Sequence, residues 1–299
     1  KIELHIIFIP CANHGKAPHL MKRLERYMKH NHIKYYLHAT QYATHATDIA
    51  RDLTSKPGGK IHIMSVGGDG TANEILNGIV NFDNLIFSII PAGSGNDFIK
   101  NFSESYADPV DVLQRQIDNE KNAKYIDFID VNNSKVRSLN VLGCGIDTDI
   151  LERYNAKKWF SPRYRYKMAT IEKALNFNIH DVSYKKDTNK IFLDREVLVL
   201  EVCNGKYFGG SLIASNYALV DDGVLTVSYV RKFDRVKTLP YMQQMLKFGI
   251  DKLRSSNWFH CRELVLRMKR PVYQVDGQLK TDTNNLKIKC ISNKLKFVA

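Results

Sequence analysis

The stretch Ile61–Thr71, IHIMSVGGDGT, most constrains what this chain can fold into. An apolar run ending at Val66 meets Gly67, Gly68, Asp69, Gly70 and Thr71, and ANEILNGIV follows at once. The run predicts a buried parallel strand. The segment after the turn, apolar at Ile75, Leu76, Ile79 and Val80, predicts a helix. Glycine lets the backbone adopt φ > 0 and approach a ligand closely. The first N–H groups of a helix are unpaired and sit at the positive end of its dipole, so such a turn suits a phosphate. Taken alone, it is equally a tight strand-to-helix turn with Asp69 or Thr71 as the cap.

The turn has a companion. Leu85–Pro91, LIFSIIP, is a second apolar run and leads into Ala92, Gly93, Ser94, Gly95, Asn96, Asp97 and Phe98. Two successive strands thus end in glycine-rich turns that each carry an aspartate. In open α/β sheets ligands bind at the carboxyl ends of strands, so Asp69 and Asp97 are expected at one crevice. The phosphate-loop pattern GxxxxGK[ST] is absent, and so is GxGxxG after the first strand.

Together GGDGTANEILNG and IIPAGSGNDF resemble the catalytic domain of the diacylglycerol kinase family, which includes bacterial lipid kinases and sphingosine kinases. The GGDG turn is shared with NAD kinases and phosphofructokinases, and the GSGNDF turn favours the lipid kinases. The resemblance continues in patches to near the C-terminus.

Strand and helix patterns alternate from the first residues to about Lys124, which predicts a parallel sheet with helices on both faces. Beyond it, short β runs with turn residues between them dominate, interrupted by helices at about 166–177 and 239–248. The stretch SLNVLGCGIDTDIL reads as a strand. The fold class expected is α/β plus all-β. It comprises a doubly wound parallel-sheet nucleotide domain over 1–126, completed by 293–299, and an antiparallel β-sandwich-like domain over 127–292, as in NAD kinases and diacylglycerol kinases.

Phosphoryl transfer needs a phosphate cradle, a cation to spread charge, and a carboxylate to orient or deprotonate the acceptor hydroxyl. Gly67, Gly68, Gly70 and Ser94 suit the cradle. The resemblance implies a nucleotide site built from these with Gly15, Thr40, Asp69, Thr71, Asn73 and Glu74. It implies catalytic roles for Asp69, Asp97 and Asp127. Each aspartate is by itself also readable as a cap or turn residue.

Further on, VYQVDGQ resembles the family's Asp-Gly-Glu turn, with Asp276 and Gly277 matching and Gln278 standing where the family has glutamate. Glutamine hydrogen-bonds but is no useful proton acceptor near neutral pH. Asp276 is therefore the expected substitute base, with Gln278 orienting the hydroxyl. ALVDDGVLT resembles the family's structural magnesium loop, with the Asp222 carboxylate and the Leu219 and Val224 carbonyls as ligands. ATP and Mg²⁺ are the implied cofactors.

The formal net charge is +13. It draws polyanions: nucleic acid, or the anionic face of a membrane. KKWFSPRYRYK, over 157–167, mixes cations with aromatics, a composition for a membrane interface. A lipid substrate met peripherally at an anionic membrane is expected, with no nucleic-acid partner; a homodimer stays open. Five scattered cysteines without a CxxC pair point to reduced thiols and a cytoplasmic setting. The leading function is an ATP-dependent lipid kinase. An NAD kinase-like enzyme with a soluble substrate, or a non-catalytic lipid or nucleotide binder, is the alternative.

Overall fold

The structure, a computed structural model, describes residues 2–10, 17–56, 58–102, 108–156, 162–233 and 238–299, without the side chains of 162–167, 238, 239 and 242. The chain forms two units. The first holds residues 1–128, 220–222 and 291–299; the second holds 129–219 and 223–290.

In the first unit β1 (Glu3–Phe8), β2 (Tyr35–Ala39), β3 (Ile61–Gly67) and β4 (Leu85–Pro91) form a parallel sheet in the order β2-β1-β3-β4. The last residues of β17 (Asn285–Phe297) add a further parallel strand beside β4, pairing Lys296 with Ile86 and Phe297 with Phe87. β1, β3 and β4 are runs buried on both faces, as a parallel sheet covered by helices requires, while the edge strand β2 is largely exposed. α1 (Ala17–His30) buries Ala17, Met21, Leu24 and Met28, one stripe at helical spacing. α2 (His45–Ser55), α3 (Asp69–Gly78) and α4 (Pro109–Asp118) complete the unit. Asp108 caps α4, accepting from Val110 N at 2.9 Å, and Pro109 opens it. The sheet order reverses between β1 and β3, so the topological switch point lies beside the end of β3.

In the second unit β7 (Val141–Gly145), β8 (His180–Lys186), β9 (Leu193–Cys203), β12 (Leu225–Arg231), β13 (Ser256–Cys261), β14 (Glu263–Met268), β15 (Tyr273–Val275) and β16 (Gln278–Lys280) pair antiparallel around one apolar core. The short β6 (Val136–Ser138) pairs antiparallel with the end of β5 (Lys124–Val131), and β10 (Tyr207–Phe208) with β11 (Leu212–Ile213). One sequence expectation fails here. The stretch read as a single strand is β7 followed by α5 (Ile146–Ala156). Gly145 takes φ 121, which ends the strand, and the Thr148 hydroxyl donates to Gly145 O at 2.7 Å. Asp147 and Asp149 in the first turn then favour the helix dipole. α6 (Pro162–Leu175) and α7 (Thr238–Phe248) are the two expected helices.

Candidate active site

The two glycine turns of the first unit pack backbone against backbone. A Cβ on Gly93 would stand 2.5 Å from Gly68 Cα, and one on Gly68 would stand 3.1 Å from Gly93 Cα. A Cβ on Gly67 would come within 2.7 Å of Thr71 Cβ, so the buried Thr71 side chain covers this glycine. Beside Gly70 there is open space. Gly68 lies outside α3 and Asp69 begins it, so the helix N-terminus opens at the turn.

Asp69 does not cap its own helix. Its carboxylate crosses to the second turn and accepts from Asp97 N and Phe98 N, both at 2.9 Å. Burial raises its pKa; those two N–H donors pull the other way, and the nearby Asp97 charge adds to the rise. Asp97 is itself buried and paired with Lys100 at 2.7 Å. Asn96, in the left-handed region at φ 51, closes the second turn by accepting from Gly93 N and donating to Gly93 O. Ser94 is exposed at its tip. Behind the turn, Phe98 meets Phe297 edge-on at 5.7 Å, and Phe102 stacks on Phe297 at 4.8 Å. The C-terminal strand thus braces the GSGNDF turn.

The other expected residues of this unit are placed as follows. Thr40 stands just past β2, its N–H donating to Phe8 O at 3.0 Å, so it shares the carboxyl-end edge with Gly67. Asn73 is buried and accepts from the Asn77 amide through both its backbone and side-chain oxygens. Glu74 turns away to α2, where its carboxylate accepts from Thr44 N and Ala46 N and caps that helix. Asp127 is buried on β5 (Lys124–Val131), and its N–H donates to Val220 O at 2.6 Å. Gly15 lies outside the described residues, as do 157–161 of the basic-aromatic segment; Arg163 and Arg165 fall on α6.

In the second unit Asp276 makes structural contacts that the sequence did not signal. Its carboxylate accepts from the Ser138 hydroxyl at 2.7 Å and from the N–H groups of Leu139, Asn140 and Val141 at 2.9–3.1 Å. Burial raises its pKa against the pull of these donors. Three of these donors converge on Oδ1 and one, Leu139 N, meets Oδ2, so the carboxylate clamps residues 138–141 to its own turn. Gln278 is exposed at the start of β16. Gly277 N donates to Gln274 Oε1 at 2.8 Å, which links this turn to a deeper pair the sequence reading missed. Glu201 and Asp147 are both buried, and burial together with the neighbouring charge disfavours two ionised carboxylates at this spot. Burial pushes Asp147 up to about 6 and Glu201 well above the usual carboxylate range. A Cβ on Gly143 would come within 2.6 Å of both carboxyl groups. The only sequence signal for the pair is a charged residue inside the apolar run VLVLEVC.

Of the expected magnesium ligands, Asp222 belongs to the first unit, and Leu219 and Val224 belong to the second. Val220–Gly223 is a turn, with Gly223 at φ 75 and Asp222 exposed. The ligand set is all oxygen, the donor chemistry Mg²⁺ prefers.

The diacylglycerol kinase catalytic domain model matches residues 3–130, and the YegS C-terminal NAD kinase beta sandwich-like domain model matches 140–298. The chain belongs to the diacylglycerol kinase catalytic domain family. A relative from Staphylococcus carnosus (strain TM300), named provisionally as a lipid kinase, is 26% identical over 84% of this chain and 82% of its own length. YtlR of Bacillus subtilis (strain 168), named in the same provisional way, is 26% identical over 48% of each chain, so the match spans about half of that relative. Among solved structures, a diacylglycerol kinase from Bacillus anthracis str. Sterne superposes with a TM-score of 0.75 at 19% identity, over 99% of this chain and 96% of the other. An NAD kinase from Archaeoglobus fulgidus in complex with ATP gives 0.51 at 11% identity, over 98% and 92%. These two likenesses establish the fold.

Proposed function

We propose that the protein transfers the γ-phosphoryl group of ATP to the hydroxyl of a lipid. The observation that carries this reading is the pair of glycine turns at the ends of β3 and β4, locked together by Asp69. In this reading the N–H groups at Gly68–Gly70 and the Gly93–Gly95 turn receive phosphates, where the helix dipole and the open space at Gly70 favour them. Asp69 is the member that fixes the distance between the turns. Asp97, held by Lys100, lies beside that cradle, and Asp127 is a further buried acid of the same unit. Thr40 and Gly15 would border the nucleotide.

Asp222 with the Leu219 and Val224 carbonyls would hold a structural Mg²⁺. A catalytic Mg²⁺ supplies charge neutralisation on the phosphates. Diacylglycerol and related lipids present a hydroxyl at the membrane interface, so the enzyme works there as a peripheral protein. No helix among the described residues is long and apolar enough to cross a membrane.

A second reading rests on one observation. With the Asp276 carboxylate engaged by four donors and Gln278 unable to take a proton, the turn is poor in proton acceptors, which suits a homologue that binds nucleotide and lipid without turnover. The test is incubation with labelled ATP, magnesium and a lipid panel in mixed micelles, with NAD in parallel. Label on a lipid supports the kinase reading. Label on NAD sinks it, and nucleotide binding without transfer selects the second reading.

A further inference from the structure

The loop between β8 and β9 combines two features that nothing in the proposed chemistry uses. It carries the most exposed large apolar side chain among the described residues, Ile191 at 76%, followed two positions on by Leu193 at 39%. Cations surround it. Lys190 is adjacent and exposed. Between the two apolar residues, the Phe192 ring is met by the Arg267 guanidinium at 3.8 Å and the Lys185 ammonium at 5.2 Å. Lys186, at the end of β8, lies over the Phe259 ring at 4.8 Å. Of the nearby acids, Asp187 accepts from Arg262 N and Glu263 N, and Asp194 is exposed at the groove beyond Leu193.

Ile191 and Leu193 flank the Phe192 ring, so the hairpin tip presents adjoining apolar groups rimmed by polar residues, the pattern of an interaction site. A cluster of cations around it asks for that phase to have an anionic rim. The cation–π contacts fix Phe192 and leave the Ile191 and Leu193 side chains directed outward, exposed on either side of it. A groove of about 1000 Å³ begins beside the hairpin, lined in part by Arg195, Arg231, Lys232, Arg267 and Lys269. Two of its acids are already engaged, Asp181 by Lys269 and Glu196 by Lys232. Arg267 therefore belongs both to the tip and to the groove.

We propose that the β8–β9 hairpin is a membrane-docking element: Ile191 and Leu193 enter the acyl boundary of an anionic bilayer while Lys185, Lys186, Lys190 and Arg267 meet its headgroups. This deepens the lipid-kinase reading and differs from the basic-aromatic segment at 157–167 as the docking site. Apolar insertion combined with several cations is the two-signal arrangement that gives stable yet reversible attachment. A nucleic acid would use the cations but leave Ile191 in water, so the membrane explains more of the hairpin.

The experiment is vesicle flotation of the whole protein with phosphatidylglycerol–phosphatidylcholine vesicles and with pure phosphatidylcholine. Ile191→Asp and the pair Lys190→Gln, Arg267→Gln are compared with the parent and with Ile191→Leu. Circular dichroism melting shows whether each variant is folded. Expected are binding to the anionic vesicles, roughly tenfold weaker for Ile191→Asp, several-fold weaker per cation removed, and unchanged for Ile191→Leu. Folded variants that float like the parent overturn the proposal. So does binding of unstructured RNA that is lost in the variants while vesicle binding is absent. Phosphoryl transfer to lipid in detergent micelles, where docking is not needed, is measured beside it. Vesicle binding that depends on Ile191 without any transfer upholds the hairpin and fails the kinase reading. Transfer with hairpin-independent binding does the reverse.

Discussion

Asp69 in the first unit and Asp276 in the second are used in the same way and to different depths. Both carboxylates leave their own turn to accept backbone N–H groups of another. Asp69 takes two, joins two phosphate-type turns, and sits beside the open space at Gly70. Asp276 takes four donors, is held in the left-handed region at φ 46, and ties the entry of β7 to the turn after β15. The difference shows that a motif match locates a carboxylate but not its duty. At Asp69 clamping and ligand binding remain compatible, because the clamp itself forms the cradle. At Asp276 the clamp loads Oδ1 with three donors and Oδ2 with one.

The largest expected effect follows from those four bonds. Asp276→Ala leaves three N–H groups and a hydroxyl without their acceptor, and urea denaturation should show a loss of about 4 kcal/mol. A loss below about 1 kcal/mol would put the clamp in doubt.

Next comes the pair beneath the same turn. Asp147 and Glu201 have raised values in the folded protein, so their contribution is fully present below the unfolded carboxylate range, near 4, and is lost as pH rises through about 6. Between pH 4.5 and pH 7.5 the folded state should lose roughly 2 kcal/mol from this source. Glu201→Gln should flatten that slope, and an equal slope in the variant would show that other groups carry it.

Asp69→Asn keeps one acceptor oxygen and loses the second charge-assisted bond, for about 2 kcal/mol and loss of phosphoryl transfer. Parental turnover in a folded Asp69→Asn protein would separate the two turns from the chemistry. The smallest effect is at Glu74. Removing the acceptor that caps α2 with Glu74→Ala should cost about 1 kcal/mol in thermal unfolding, with nucleotide affinity little changed. A large loss of affinity instead would return Glu74 to the nucleotide site.

Much of the fold was legible because it is written locally. The apolar runs ending at Val66 and Pro91, each punctuated by glycine, specify strand, turn and helix within a dozen residues. The β7–α5 junction was not, because Gly145 reads as an ordinary strand glycine until its φ of 121 is known. Within the site, the glycines and Asp69 were legible by residue type. The partners were not: Glu74 reaches α2 and Asp276 reaches residues 138–141, across separations that a single sequence does not encode. The Glu201–Asp147 pair was hidden for the same reason, since Glu201 reads as one charge within an apolar strand.

We propose that Asp276 holds structure and does not take the proton. The most direct measurement is amide hydrogen exchange at Leu139, Asn140 and Val141 in Asp276→Asn, with unfolding free energy and turnover recorded on the same samples. The clamp predicts faster exchange at these three amides and a lower unfolding free energy. Parental protection and stability, with turnover alone abolished, would contradict it and restore Asp276 as the base.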